Sequence, residues 1–217
     1  MGITKLIDEY ERSILRSLDI GYSGLKWCEL GNQRTWNRKS AKEMYVTRGV
    51  DHTSIDLNGQ DGALKLDLEK KLPDNLVGKF DVVTNYGTVE HINNQTAVFF
   101  NVHELCKEDG IMFHGFPFVL NWPRHGRYYY AREFADSLAK VCNYNLVDVG
   151  LLDSEEYKYP RNLLMVTLRK TIKKFPNIEV TQLAGLEDSG DRSMTGDYTS
   201  GLSNRIKNRL QSIYHKF

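Results

Sequence analysis

The run FDVVTNY, residues 80–86, carries apolar side chains on both faces of an extended chain. A strand with one wet face alternates apolar with polar, and a strand covered on both faces does not. This segment therefore calls for a sheet sandwiched between helices. Its surroundings supply them. Ile3, Leu6, Ile7, Tyr10, Ile14 and Leu18 recur at helical spacing and predict a helix over 4–18. LKWCEL (25–30), set between glycines, predicts a buried strand. A polar helical stretch over 36–48 ends at Gly49, and HTSIDL (52–57) predicts the next strand. NGQDG (58–62) is a turn cluster, and ALKLDL (63–68) predicts a short third strand.

After residues 80–86 comes a predicted helix over 93–107, with Gly110 as its C-terminal stop, and then a strand, IMFHGF (111–116). A helix over 131–143 follows. Strands at 145–152 and 162–170 leave no room for a helix between them and predict an antiparallel pair. Alternating units of this kind give a mostly parallel sheet with right-handed crossovers. The expected fold class is α/β: a Rossmann-like, mostly parallel seven-stranded sheet with helices on both faces and an antiparallel C-terminal hairpin strand.

The 217 residues suit one domain, read as 1–171, with an extension over 172–217. In that extension, 187–201 is polar and rich in Gly and Ser and reads as a linker. Beyond it Ile206, Leu210, Ile213 and Phe217 share one helical face, with Arg205, Lys207, Arg209 and Lys216 elsewhere. This short basic amphipathic helix is expected to dock on the domain; contact with a membrane surface and an oligomer contact are the alternatives. Lys and Arg number 29 against 28 Asp and Glu, which excludes bulk electrostatic binding of nucleic acid. Three well-separated cysteines, Cys28, Cys106 and Cys142, match neither a disulfide framework nor a zinc knuckle. With a charged N-terminus and no long apolar run, a cytoplasmic location is expected.

Open α/β sheets bind ligands at the C-terminal ends of their strands. The polar residues placed there are Glu29, Gly31, Asn32 and Gln33, then Asp56, Asp67, Asn85, Tyr86, Glu90, His91 and His114. Asp56 lies 25 residues past Gly31, about where a carboxylate accepts both hydroxyls of a ribose. It also begins the turn 58–62, and a plain turn acid is the alternative.

KFDVVTNYGTVEHINN (79–94), FFNVHELCKEDGIMFHGFP (99–117), SIDLNG and LKLDL together resemble the class I S-adenosylmethionine-dependent methyltransferases of type-11-like pattern, over roughly 22–170. The departure is the first loop, where that family carries E/D-x-G-x-G-x-G and this chain carries Glu29-Leu30-Gly31-Asn32-Gln33-Arg34-Thr35. A glycine-poor loop counts against a pyrophosphate, which needs close backbone approach at a helix N-terminus. It counts less against a sulfonium cofactor, and Gln33 or Arg34 would face its carboxylate. The resemblance implies S-adenosyl-L-methionine as cofactor and S-adenosyl-L-homocysteine as product. It implies cofactor contacts from Glu29, Gly31, Asn32 and Gln33, ribose contact from Asp56, and adenine contact from Asp67 and Leu68. Asn85 and Tyr86 would face the methyl group.

His91 is the first candidate for the base that removes the acceptor's proton, because imidazole titrates near neutrality. His125 and His114 are rivals, and a capping or core role for His91 is the alternative. NWPRHGRYYYAREF (121–134) lies where this family inserts substrate-binding segments. A lid over 118–130 is expected, with Trp122, Arg124, Arg127 and Tyr128 on an anionic or sugar-like substrate; an aromatic cover on the sheet is the other reading. Ubiquinone-pathway and small-RNA 2′-O-methyltransferases bind a divalent metal through E-x-x-E-H and a later ligand. Glu90, His91 and His125 match in part, but Gly87 stands at the first Glu, so no metal is expected. The expected function is O- or N-methylation of a small molecule or glycan. The alternatives are a non-catalytic binding module of the same fold and an RNA 2′-O-methyltransferase.

Overall fold

The computed structural model describes residues 2–31, 41–154, 161–192 and 195. In chain order the elements are α1 (Ile3–Ser17), β1 (Lys26–Leu30), α2 (Ala41–Val46), β2 (Asp51–Asp56), β3 (Leu64–Lys65), β4 (Phe80–Tyr86) and α3 (Gln95–Leu105). Then follow β5 (Cys106–Pro117), β6 (Tyr128–Tyr130), α4 (Arg132–Val141), β7 (Asn145–Ser154), β8 (Arg161–Arg169) and β9 (Leu186–Asp188).

Seven strands form one sheet in the order β3-β2-β1-β4-β5-β8-β7. β1 to β5 run parallel to one another, and β8 runs antiparallel to both β5 and β7. The strand order reverses between β1 and β4, which is where an open sheet leaves a crevice. Both faces are covered. On one, Cys28, Leu30 and Val83 pack with Val98, Phe99 and Val102 of α3 and Phe134 and Leu138 of α4. On the other, Trp27, Val82 and Phe113 pack with Ile14 and Leu15 of α1 and Tyr45 of α2. The double apolar face of 80–86 is the cause, since Val82 feeds one core and Val83 the other.

Three expectations are corrected. The third strand, expected over 63–68, is only Leu64–Lys65. Asp67 ends it by accepting the Glu69 amide in a side-chain turn at 2.9 Å. Gly110 does not close a helix: α3 ends at Leu105 and Gly110 lies inside β5. A Cβ there would stand 2.6 Å from the Cys106 sulfur and 3.0 Å from the Asp81 carbonyl, so close packing selects the glycine. The stretch 187–201, read as linker, opens on β9, which pairs antiparallel with β6 from Tyr128↔Asp188 to Tyr130↔Leu186. Upstream of it Phe175 and Val180 sit in the main core. The basic helix expected near the C-terminus lies outside the described residues.

Cys28, Cys106 and Cys142 are all buried, and none of them forms a disulfide. Among the described residues no helix is long and apolar enough to cross a membrane.

Candidate active site

The strand ends converge by register. Leu30 of β1 pairs with Ile55 of β2 on one side and Asn85 of β4 on the other. Glu29–Gly31, Asp56 and Asn85–Tyr86 therefore lie side by side on the C-terminal edge of the sheet.

Gly31 is required twice over. Its φ is +76°, a region that side chains rarely adopt, and a Cβ would lie 2.3 Å from Thr88 Oγ1. That hydroxyl donates to the Leu30 carbonyl at 2.9 Å and ties the loop after β4 to the end of β1. Thr88 was not singled out from sequence; its only signal is the position next to Gly87 at the strand end. Glu29 is buried, with its Oε2 at 3.1 Å from His52 Nε2, on the face where His52 stacks on Tyr45. Asp56 is half-buried and accepts the Asn58 amide at 2.8 Å, which shapes the turn behind it. Leu68 is buried in the core, and the Asn101 amide donates to its carbonyl at 2.7 Å. Asn32, Gln33 and Arg34 lie outside the described residues.

Asn85 is fully buried and serves the loop that follows. Its carbonyl accepts the Val89 amide at 3.1 Å, and its amide nitrogen lies 3.4 Å from His114 Nδ1. Tyr86 points down into the core and donates to Glu11 Oε1 at 2.6 Å; Tyr45 donates to the same oxygen at 2.8 Å. Glu11 is 0% exposed. Burial pushes its carboxyl up to about 8, against the pull of the two tyrosine hydroxyls. Sequence reading passed over Glu11, although it lies on the Ile7–Ile14 stripe of α1. His114, one of the rival bases, is buried between aromatic rings, 5.0 Å from Phe116 and 5.8 Å from Phe99. Burial drives its imidazole down to about 3, so it is a weak base.

His91 and His125 come together. Their rings are 5.1 Å apart and meet edge to face. Between them lies Glu90, 0% exposed, with Oε1 at 3.3 Å from His125 Nε2 and 3.8 Å from His91 Nε2. The His91 side chain is 8% exposed and the His125 side chain 32%, so His125 is the more reachable from solvent. His125 arrives there because the segment before β6 folds back onto the loop after β4. The Arg127 amide donates to the Glu90 carbonyl at 3.0 Å, and Gly126 lies so close that a Cβ would meet Glu90 Cγ at 2.8 Å. In the sequence Glu90 stands at the end of the β4 segment and in the EH pair, and neither position shows that it is buried.

The other lid residues are engaged in holding this segment. Trp122 is buried, donates to the Asn162 carbonyl at 2.7 Å, and lies tilted against the His125 ring at 4.9 Å. Arg127 grips both oxygens of Asp188 at 2.9 and 2.6 Å, donates to Asn93 at 2.8 Å, and lies over the Tyr128 ring. Tyr128 is buried and donates to the Asn93 carbonyl at 2.8 Å. Arg124 is exposed, with a φ of +58°.

No protein-family model matches the sequence, and no curated protein matches it. Solved structures do resemble it in fold. The 1,6-didemethyltoxoflavin-N1-methyltransferase of Burkholderia thailandensis, solved with 1,6-didemethyltoxoflavin and S-adenosylhomocysteine, aligns with a TM-score of 0.56 at 15% identity, over 74% of this chain and 76% of that one. The N-methyltransferase NodS of Bradyrhizobium japonicum WM9 aligns with a TM-score of 0.54 at 14% identity, over 79% of this chain and 100% of that one. The [4+2]-cyclase SpnF aligns with a TM-score of 0.59 at 11% identity, over 79% and 83%. A fold hosts more than one chemistry, so these likenesses speak to architecture. The chain has the Rossmann-like fold of the class I S-adenosylmethionine-dependent methyltransferases.

Proposed function

We propose that this protein is an S-adenosylmethionine-dependent methyltransferase that methylates oxygen or nitrogen of a small molecule or glycan. One observation carries the reading: Gly31, Asp56 and the end of β4 meet at the switch in strand order, with an imidazole pair immediately beyond them.

The residues fit the cofactor. Gly31 with φ +76° lets the chain turn at the end of β1 directly against the Thr88 hydroxyl. Asp56 at the end of β2 is the carboxylate for the ribose hydroxyls, and Asp67 with Leu68 follows β3 for the adenine. Glu29, at the end of β1, is the carboxylate at the methionine end. When bound, the cofactor supplies an electrophilic methyl group on a positively charged sulfur. The chain has to align the acceptor with that methyl and take its proton. His125 Nε2 or His91 Nε2 receives that proton as the acceptor atom bonds to the methyl carbon and the carbon–sulfur bond breaks.

The test is transfer of label. The protein is incubated with S-adenosylmethionine carrying a radioactive methyl group and with separated metabolite, glycan and RNA pools. Label in the small-molecule or glycan pool, lost in His125→Ala, is expected. Label in RNA alone would favour the nucleic-acid reading, and no label in any pool would favour a binding module.

A further inference from the structure

We propose that Glu90, His91 and His125 form a binding site for one divalent first-row transition cation such as zinc or cobalt. Glu90 is the starting point. Its side chain is fully buried, and neither carboxylate oxygen accepts a hydrogen bond. Buried carboxylates are normally hydrogen-bonded, paired or bound to a metal. Two imidazole nitrogens lie 3.3 and 3.8 Å from its Oε1, and the 3.3 Å contact is not aligned as a hydrogen bond. The three groups are thus gathered without satisfying one another.

Their spacing suits a shared ion. Three donor atoms, one from each residue, all lie within 4.8 Å of one another. Ligands bound at about 2.1 Å stand roughly 3.0–3.4 Å apart in octahedral or tetrahedral arrays, so small side-chain rotations close the cluster. The donor set sets the class of ion. Two imidazoles and a carboxylate suit zinc, cobalt, nickel or ferrous iron, whereas magnesium and calcium take oxygen ligands. The count of protein ligands leaves a coordination position open, as in catalytic rather than structural sites.

Gly87 borders the cluster. A Cβ there would stand 3.4 Å from Glu90 Oε1, so any side chain at 87 would border the cluster. With glycine, that side is left to the oxygen of a water or of the methyl acceptor. Read along the chain, Gly87 counted against a metal because it removes a ligand. In the fold it lies beside the carboxylate and adds no side chain there. If an acceptor hydroxyl binds there, the cation makes its proton easier to lose, which is the work otherwise given to a histidine base. That consequence rests on the methyltransferase reading, whereas the cation site does not.

The experiment separates the two. Full-length protein without a histidine tag is stripped with chelator, dialysed, and titrated with cobalt(II) by visible absorption and with zinc(II) by calorimetry, in the absence of cofactor. One ion per chain is expected, with magnesium failing to compete. His125→Ala and Glu90→Gln should each weaken binding by roughly 100-fold or more, since even outer-sphere partners of metal ligands are worth 10–100-fold. His125 is part-exposed, so its variant keeps the test valid if Glu90→Gln fails to fold. Absence of binding at millimolar ion would overturn the proposal. So would binding that His125→Ala leaves unchanged. A parallel titration of S-adenosylhomocysteine on the stripped protein tests the methyl-donor site on its own.

Discussion

Glu11 gives the sharpest physical test of how α1 supports the site. Its carboxyl lies beneath Tyr86 at the end of β4, takes two tyrosine hydroxyls on Oε1, and has no partner on Oε2. Burial raises it from the usual 4.5 to about 8. Between those values the folded protein holds a proton that the unfolded chain has released. Stability is therefore full below about pH 4.5 and falls as pH rises toward 8. The slope is about 1.4 kcal/mol per pH unit, and the accumulated loss at pH 7 is of order 3 kcal/mol. Glu11→Gln keeps an acceptor for both hydroxyls and removes the titration. Burying its amide at the Oε2 position adds a cost that does not vary with pH. The stability difference between Glu11→Gln and the parent should thus move in favour of the glutamine variant by about 1.4 kcal/mol per unit between about pH 5.5 and 7.5. Urea unfolding followed by circular dichroism at several pH values measures it. A difference that stays constant with pH would refute the reasoning, because Glu11 would then titrate alike in both states.

Gly31→Ala should destabilise the fold by about 1–3 kcal/mol, from the φ of +76° and the clash with Thr88. Thermal denaturation would show it, and Thr88→Ala in the same chain should recover only the part due to the clash. Arg127→Ala should cost about 1 kcal/mol and expose the β6–β9 pair to proteolysis, since the Asp188 grip is partly solvent-exposed. Digestion near residues 186–192 no faster than in the parent would contradict that role. His114, held down at about 3, should show no titration of its ring proton signals between pH 5 and 8 by NMR. A midpoint in that range would mean that its burial is wrongly described.

Much of the fold was legible because burial on both faces of a sheet leaves a plain mark. FDVVTNY matches β4 residue for residue, and the hairpin β7–β8 follows from two apolar runs too close for a helix. What stayed hidden depends on contacts distant in sequence. The pairing of Tyr128–Tyr130 with Leu186–Asp188 joins a triplet of tyrosines to a polar segment, with no local signal in either. Gly110 misled because a glycine after a helical run fits a helix stop, while its real constraint is the Cys106 sulfur and the Asp81 carbonyl. In the site, Asp56 and Asn85 were placed by strand ends alone. Glu90 shares that placement, but its burial does not show in the sequence, and neither does that of Glu11, since a carboxylate in a polar stretch or on a helix reads as surface until the fold buries it. His91 and His125 are rivals along the chain, 34 positions apart; the close approach of Gly126 to Glu90 and the Arg127 amide on the Glu90 carbonyl make them neighbours.

The central claim is a methyl-donor site at the ends of β1, β2 and β4, and calorimetric titration of S-adenosylhomocysteine tests it directly. The parent should bind one molecule per chain, and Asp56→Ala should weaken binding by about 1.5–3 kcal/mol, roughly 10- to 150-fold, as for hydrogen bonds to a charged group. Absence of binding at millimolar ligand, or an affinity that Asp56→Ala leaves unchanged, would contradict the account.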